Sequence, residues 1–333
     1  MDMEQEELQF LGFFGICKEA IVITFRHSKI FIKLTLTLIL PLSIIFLAHD
    51  GFSTFLSQKI ITNEDTLDTT QLGTPAFNDK SNKISYELTA LWLIKLVYLL
   101  ISLVFSLLST SAVVYTVACI YTAKDISYKK VMSIVPKVWM KVMVTFLWSL
   151  GIIFTYNLIS GITLITLLIL FWNNKHNDIS STGLVTILIV FVLYLIGFVY
   201  TSVIWQLACV ISVMENSYGI QAMVKSKTLI KGKIGISFAI FLVFFLCFLG
   251  IEHTFERAEV INKASIGIGV LCLVGLTLFF LFGLIIQTIF YFVCKSYHHQ
   301  NIDKSSLADH LETYRGEYVP LTANNLEMEQ FKV

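Results

Sequence analysis

Few side chains in this sequence stand where they could do chemistry, and those few are neutral. Asn157, Gln206 and Gln287 each sit inside a long apolar run, as do Ser106, Ser109, Thr110, Ser111 and Ser160. A polar group in such a run either lines a cavity or bonds across to a neighbouring helix, and the second use is the commoner. In the first use, Asn157, Gln206 and Gln287 are the cavity-lining candidates for an uncharged or weakly polar solute. No Asp or Glu falls inside any run, so the ionisable relay of a pump and the paired carboxylates of an acid–base catalyst are missing. Lys95 lies near the end of its run, where its stem can snorkel. Glu252 and His253 are adjacent in sequence and so poorly placed to act together. His298 and His299 do not share a helix face and lack further ligands at metal spacing, which predicts a solvated tail. The motifs HExxH, G-x-S-x-G, GxGxxG and the P-loop do not occur. The expectation is a protein without catalytic, cofactor-binding or metal-ligating residues.

The charged chemistry lies between the runs. Lys129, Lys130, Lys137 and Lys141 fall within residues 121–141, and Lys225, Lys227, Lys231 and Lys233 within residues 214–233. Ammonium groups beside an apolar run meet anionic headgroups, so these eight lysines are the candidate lipid-binding residues. In residues 128–141, Tyr128, Val131, Met132, Val135, Val138 and Trp139 share one helical face. Lys129, Lys130, Ser133, Lys137 and Lys141 share the other, and Pro136 should bend the helix. Similar basic stretches, GICKEAIVITFRHSKIFIK and SYGIQAMVKSKTLIKGK, precede two further runs. The repeated unit predicted is an interfacial helix, a span, an outer loop and a second span, three times over.

The elements that must carry these residues are set by composition. The chain has 333 residues, 56% of them hydrophobic and 14% charged, and a mean hydropathy of +0.77. Soluble domains carry about 25% charged residues, so the bilayer is the solvent for the excess apolar surface. A span needs about 20 apolar residues. Six are predicted, at about 30–48, 92–120, 142–171, 184–214, 234–251 and 266–293. Pro41 should kink the first. Gly267, Gly269, Gly275 and Gly283 in the sixth suggest close helix packing. Net charge is +1 and no basic stripe is interleaved with aromatics, which predicts no nucleic-acid partner.

Lysine-rich connections mark the cytosolic side. The N-terminal segment carries Lys18, Arg26, Lys29 and Lys33, whereas loop 49–90 sets three lysines against six acids. Both termini are therefore expected in the cytosol: a segment 1–29, a membrane domain 30–293 and a tail 294–333. Loop 49–90 would be outside, and TLDTTQLGTPAFNDKSNK within it reads as irregular. MDMEQEELQF is acidic where a cleavable leader would be basic, so none is expected. None of the six cysteines falls in an outer segment, so no disulfide framework is predicted, though Cys17 and Cys294 are candidates for acylation. The expected location is the plasma membrane or an endomembrane, the long third, fourth and sixth runs favouring a thick bilayer such as the former.

LGFFGICKEA with FIKLTLTLILPLSIIFLAH, ENSYGIQAMVKSKTLIKGK and ADHLETYRGEYVPL resemble a family of plant multi-pass membrane proteins. Some of its members are labelled polyadenylate-binding-protein-binding proteins. The resemblance covers nearly the whole chain and implies six spans and a plant source, but supplies no functional residues. Ala222, Ser226, Leu229 and Gly232 are in addition similar to a short pattern in the membrane domain of some bacterial glycerophosphodiester phosphodiesterases, whose catalytic domain has no counterpart here. The sequence predicts an all-α membrane protein: six transmembrane helices in three hairpins, each hairpin preceded by a basic amphipathic helix. The expected function is non-enzymatic organisation of anionic lipid, or of membrane and cytosolic partner proteins. The alternative is a transporter or channel for an uncharged solute.

Overall fold

A computed structural model describes residues 9–68, 74–122, 126–173, 178–179, 181–260 and 265–298. The described residues are almost wholly helical. The order is α1 (Phe13–Arg26), α2 (Ser28–Leu34), a π turn (Thr35–Ile39), α3 (Leu40–Asp68), α4 (Pro75–Tyr121), α5 (Tyr128–Phe171), α6 (Ser181–Met214), α7 (Ile220–Leu229), α8 (Ile234–Val260) and α9 (Ser265–Tyr297). Six helical segments are long and apolar enough to cross a bilayer: Ser28–Leu67, Phe77–Tyr121, Tyr128–Phe171, Thr182–Met214, Ile234–Arg257 and Gly267–Tyr297. By length and composition the chain is a multi-pass integral membrane protein. His299 and the residues after it in the predicted tail lie outside the described residues.

The helices outrun the predicted spans. Residues 49–68 and 75–90, expected as part of an outer loop that is irregular over 66–83, continue α3 and open α4. The reason is local capping and pairing across the two helices. Thr74 is an N-cap whose Oγ1 accepts the Phe77 N–H at 3.3 Å, and Pro75 follows at a first-turn position where its missing N–H costs nothing. Glu87 then accepts from Asn63 at 2.6 Å and pairs with Lys59 at 3.1 Å. Just before the expected proline kink the helical register changes. The π turn precedes Pro41, and the Leu40 N–H reaches back to the Thr35 carbonyl.

Residues 128–141 are not a separate helix. They are the start of α5, which runs 44 residues through Pro136. Their apolar face is real, but protein covers it: Val131, Ile134, Val135 and Val138 are all buried. The third basic stretch does form its own short helix, α7, and the first forms α1.

Packing divides the chain into two units, Met1–Arg26 with Thr110–Val243 and Leu284–Val333, and His27–Ser109 with Phe244–Gly283. In the second, Leu47, Cys272 and Leu276 are buried under Phe46, Phe248, Phe279 and Phe280. The Phe46 ring meets Phe248 edge-on at 5.5 Å and Phe280 at 6.4 Å. Of the four glycines expected to bring helices together here, Gly283 lies against Phe244 and Gly275 touches Ile251, while Gly267 and Gly269 face open space.

In the first unit, α5 and α6 lie antiparallel. Thr145 meets Ser212, Phe146 meets Trp205, and Tyr156 stacks on Tyr194 at 5.7 Å. A two-residue pairing, β1 (Trp172–Asn173) with β2 (Asp178–Ile179), continues the same register beyond the helices.

Candidate functional site

The first unit concentrates its directional bonds where α6 ends and α7 begins. Glu215, one residue past α6, bonds back through its N–H to the Ile211 carbonyl at 2.8 Å. Its carboxylate is almost enclosed, with 12% of the side chain exposed. Oε1 accepts from the Tyr291 hydroxyl at 2.7 Å and from Lys295 Nζ at 3.2 Å, and Oε2 pairs with Lys225. Tyr291 and Lys295 are four residues apart, so they present from one face of α9. Burial alone would raise the pKa of Glu215. The bonds from Lys225 and Tyr291 and the charges of Lys295 and Lys225 outweigh it, and the carboxyl is held below the usual range. One carboxylate thus binds two ammonium groups and ties the ends of α6, α7 and α9 together.

The connection itself is fixed by a glycine. Gly219 has φ +64°, and a Cβ there would lie 3.2 Å from the Trp148 ring. Its N–H donates to Thr145 Oγ1 at 2.7 Å, and that hydroxyl also shares a 2.7 Å bond with Ser212. Lys141 Nζ reaches Asn216 Oδ1 at 3.2 Å. Beyond it, α7 buries Ala222, Met223, Ser226 and Leu229, with Ser226 Oγ donating to the Ile204 carbonyl at 2.8 Å. Gly232, at φ +90°, lets the chain pass the Tyr297 ring. The Ala222–Ser226–Leu229–Gly232 pattern is thus a packing pattern: three residues bury one face of α7 and the fourth turns the chain.

The eight candidate lysines divide. Lys225 is neutralised by Glu215, Lys141 is bonded to Asn216, and Lys233 donates to the Gln9 carbonyl at 2.9 Å while lying 5.0 Å over the Tyr297 ring. Lys129, Lys137, Lys227 and Lys231 are exposed and Lys130 is half-exposed. His298, expected in a solvated tail, instead donates from Nε2 to the Leu229 carbonyl at 3.1 Å. Cys294, a candidate for acylation, is fully buried, while Cys17 is half-exposed.

The three amides separate as well. Asn157 accepts the Tyr194 hydroxyl at 2.7 Å across the α5–α6 pair. Gln206 and Gln287 line one small notch with Ser237, of about 20 Å³. The residues that do most in this region, Glu215, Gly219, Tyr291 and Lys295, drew no attention in the sequence. Glu215 stood outside every span by one position, and only the Asn-Ser-Tyr-Gly turn signal after it hinted at an ordered connection.

Residues 1–331 match the model of the family described as "Domain of unknown function (DUF8558)", and the chain belongs to that family. No curated protein and no solved structure matches it.

Proposed function

We propose that the protein is a non-enzymatic membrane organiser that holds anionic lipid on a basic cytosolic layer. The observation that carries this reading is α1. Ile16, Ala20 and Ile23 form its buried stripe. On the opposite face Phe14 is 84% and Phe25 73% exposed, with Ile21 exposed between them and Lys18 and Arg26 alongside. A helix buried on one side and presenting aromatics with cations on the other suits the boundary between acyl chains and headgroups. Exposed Lys129, Lys227 and Lys231, with half-exposed Lys130, extend the same chemistry. Lys225 and Lys233 leave the lipid-binding set because their charges are used within the fold.

In this reading the six segments pair as three hairpins, the basic ends face the cytosol with both termini, and the membrane is the plasma membrane or an endomembrane. Cytosolic or membrane proteins would be gathered through the same layer, without nucleic acid, and the resemblance to plant multi-pass proteins enters as part of the same proposal. A conduit for an uncharged solute draws support only from the Gln206–Gln287 notch, and about 20 Å³ holds about one water.

The test is lipid retention by the purified full chain in nanodiscs with and without phosphatidylserine. Replacing Lys129, Lys130, Lys227 and Lys231 with Gln should lower phosphatidylserine retention in a salt-sensitive way, by about fivefold per lysine at most. Replacing Phe14 and Phe25 with Ser should weaken retention of all lipids alike. Unchanged phosphatidylserine retention in the lysine variant overturns the proposal.

A further inference from the structure

The notch between α6, α8 and α9 is chemically distinct from the basic layer. Gln206 and Gln287 bring two primary amides to it and Ser237 a hydroxyl. Ser237 is only 5% exposed. Among the described residues, none of these three side chains has a hydrogen-bond partner. Leu207, Ile240 and Phe290 wall the same space with apolar surface. Amide donors and acceptors left open within spans cost free energy unless something polar meets them.

Depth narrows what that is. Gln206 lies nine residues before Glu215 and Gln287 eight before Lys295, which is about 12–14 Å along the helices. With Glu215 and Lys295 at the outer face of a headgroup layer about 5–8 Å thick, the notch would open just inside the hydrocarbon edge. A phosphate or ammonium at that depth would meet no counter-charge, because the lining is neutral. A hydroxyl fits: it donates to an amide oxygen and accepts from an amide N–H, and a notch with room for about one water admits that group alone while the body that carries it stays among the acyl chains.

We propose that Gln206, Ser237 and Gln287 bind the uncharged hydroxyl of a neutral lipid, of the sterol or the diacylglycerol kind. This site is independent of the anionic-lipid reading, being neutral and deeper, and the two stand or fall separately.

The experiment uses the full chain in nanodiscs and two photoactivatable probes, a diazirine sterol and a diazirine diacylglycerol, in separate arms. Adducts mapped by mass spectrometry should fall on residues 203–207, 237–240 or 287–290 in one arm, naming the source. Excess unlabelled neutral lipid of that kind should displace the probe, and phosphatidylserine at the same mole fraction should not. Gln206→Leu and Gln287→Leu should each lower labelling about fivefold. Ser237→Ala, a smaller change, should lower it in the same direction and serves if a Leu variant fails to fold. Absence of adducts at these residues in both arms, displacement by phosphatidylserine, or labelling untouched by the folded variants would overturn the site and leave it holding water alone.

Discussion

Two regions, the Glu215 cluster in the first packing unit and the Leu47 cluster in the second, are held by different means. Around Glu215, α6, α7 and α9 are joined by charge-assisted bonds of defined direction, and a positive-φ glycine fixes the connection. Around Leu47, the second unit relies on ring against ring, with Phe46, Phe248, Phe279 and Phe280 meeting at tilted or edge-on angles. Lipid tails are as apolar as these rings, so their contact gains little from leaving lipid and must rest on shape. Polar bonds in the same setting have no comparable competitor in the acyl chains. The first arrangement should fail abruptly when one atom is removed, and the second should yield gradually.

The sharpest way to break this contrast is Glu215→Ala. It strands Lys225 and Lys295 without their shared carboxylate, and should cost about 3 kcal/mol, discounted for the exposed side of Lys225. Thermal unfolding in nanodiscs, followed by tryptophan fluorescence, measures it. The same carboxylate gives a pH dependence. Its folded pKa lies below the unfolded value of about 4.3, so its contribution is present above that pH and is lost as pH falls through the folded value. The alanine variant should therefore lose the acid-side slope that the parent shows. A slope of equal size in both would assign acid sensitivity elsewhere.

Gly219→Ala should come next. A Cβ at φ +64° is strained in itself and presses on Trp148, for a combined loss of about 2 kcal/mol. Weakened retention of the Thr145–Gly219 bond would appear as faster amide exchange at residue 219. In the second unit, Phe46→Leu removes two ring contacts while keeping apolar volume, and about 1 kcal/mol is expected in the same unfolding assay. A loss as large as that of Glu215→Ala would erase the distinction between the units.

What could be read in the sequence follows the same division. The apolar runs are long and carry few charges, so the six segments and the all-helical class were legible from hydropathy. The face of Val131, Val135 and Val138 was legible from spacing, but spacing does not say whether lipid or protein covers it, and here protein does. The helical continuation over residues 49–68 and 75–90 was hidden because their polar composition resembles a loop. Its N-cap, Thr74-Pro75, was readable, whereas the Lys59–Glu87 and Asn63–Glu87 pairing depends on antiparallel register that no local pattern encodes. Gln206 and Gln287 were visible as polar residues in apolar runs, yet their meeting, and the departure of Asn157 to Tyr194, came from three-dimensional placement. The Glu215 clamp unites that residue with Tyr291 and Lys295, 76 and 80 positions away in sequence, beyond the reach of helical periodicity.

The smallest expected effect has the opposite sign. Gly269 lies inside α9 with nothing within 4 Å of where a Cβ would stand. Replacing it with Ala adds no clash and removes backbone freedom from the unfolded chain, which should stabilise the helix by about 0.5 kcal/mol. The same change at Gly219 destabilises, so the pair of alanine variants tests whether glycine is needed for conformation in one unit and is incidental in the other. Unfolding midpoints that move in opposite directions support that division. If Gly269→Ala destabilises instead, another helix approaches α9 at that position, and the small-residue stripe of the sixth span regains the packing role its spacing suggested.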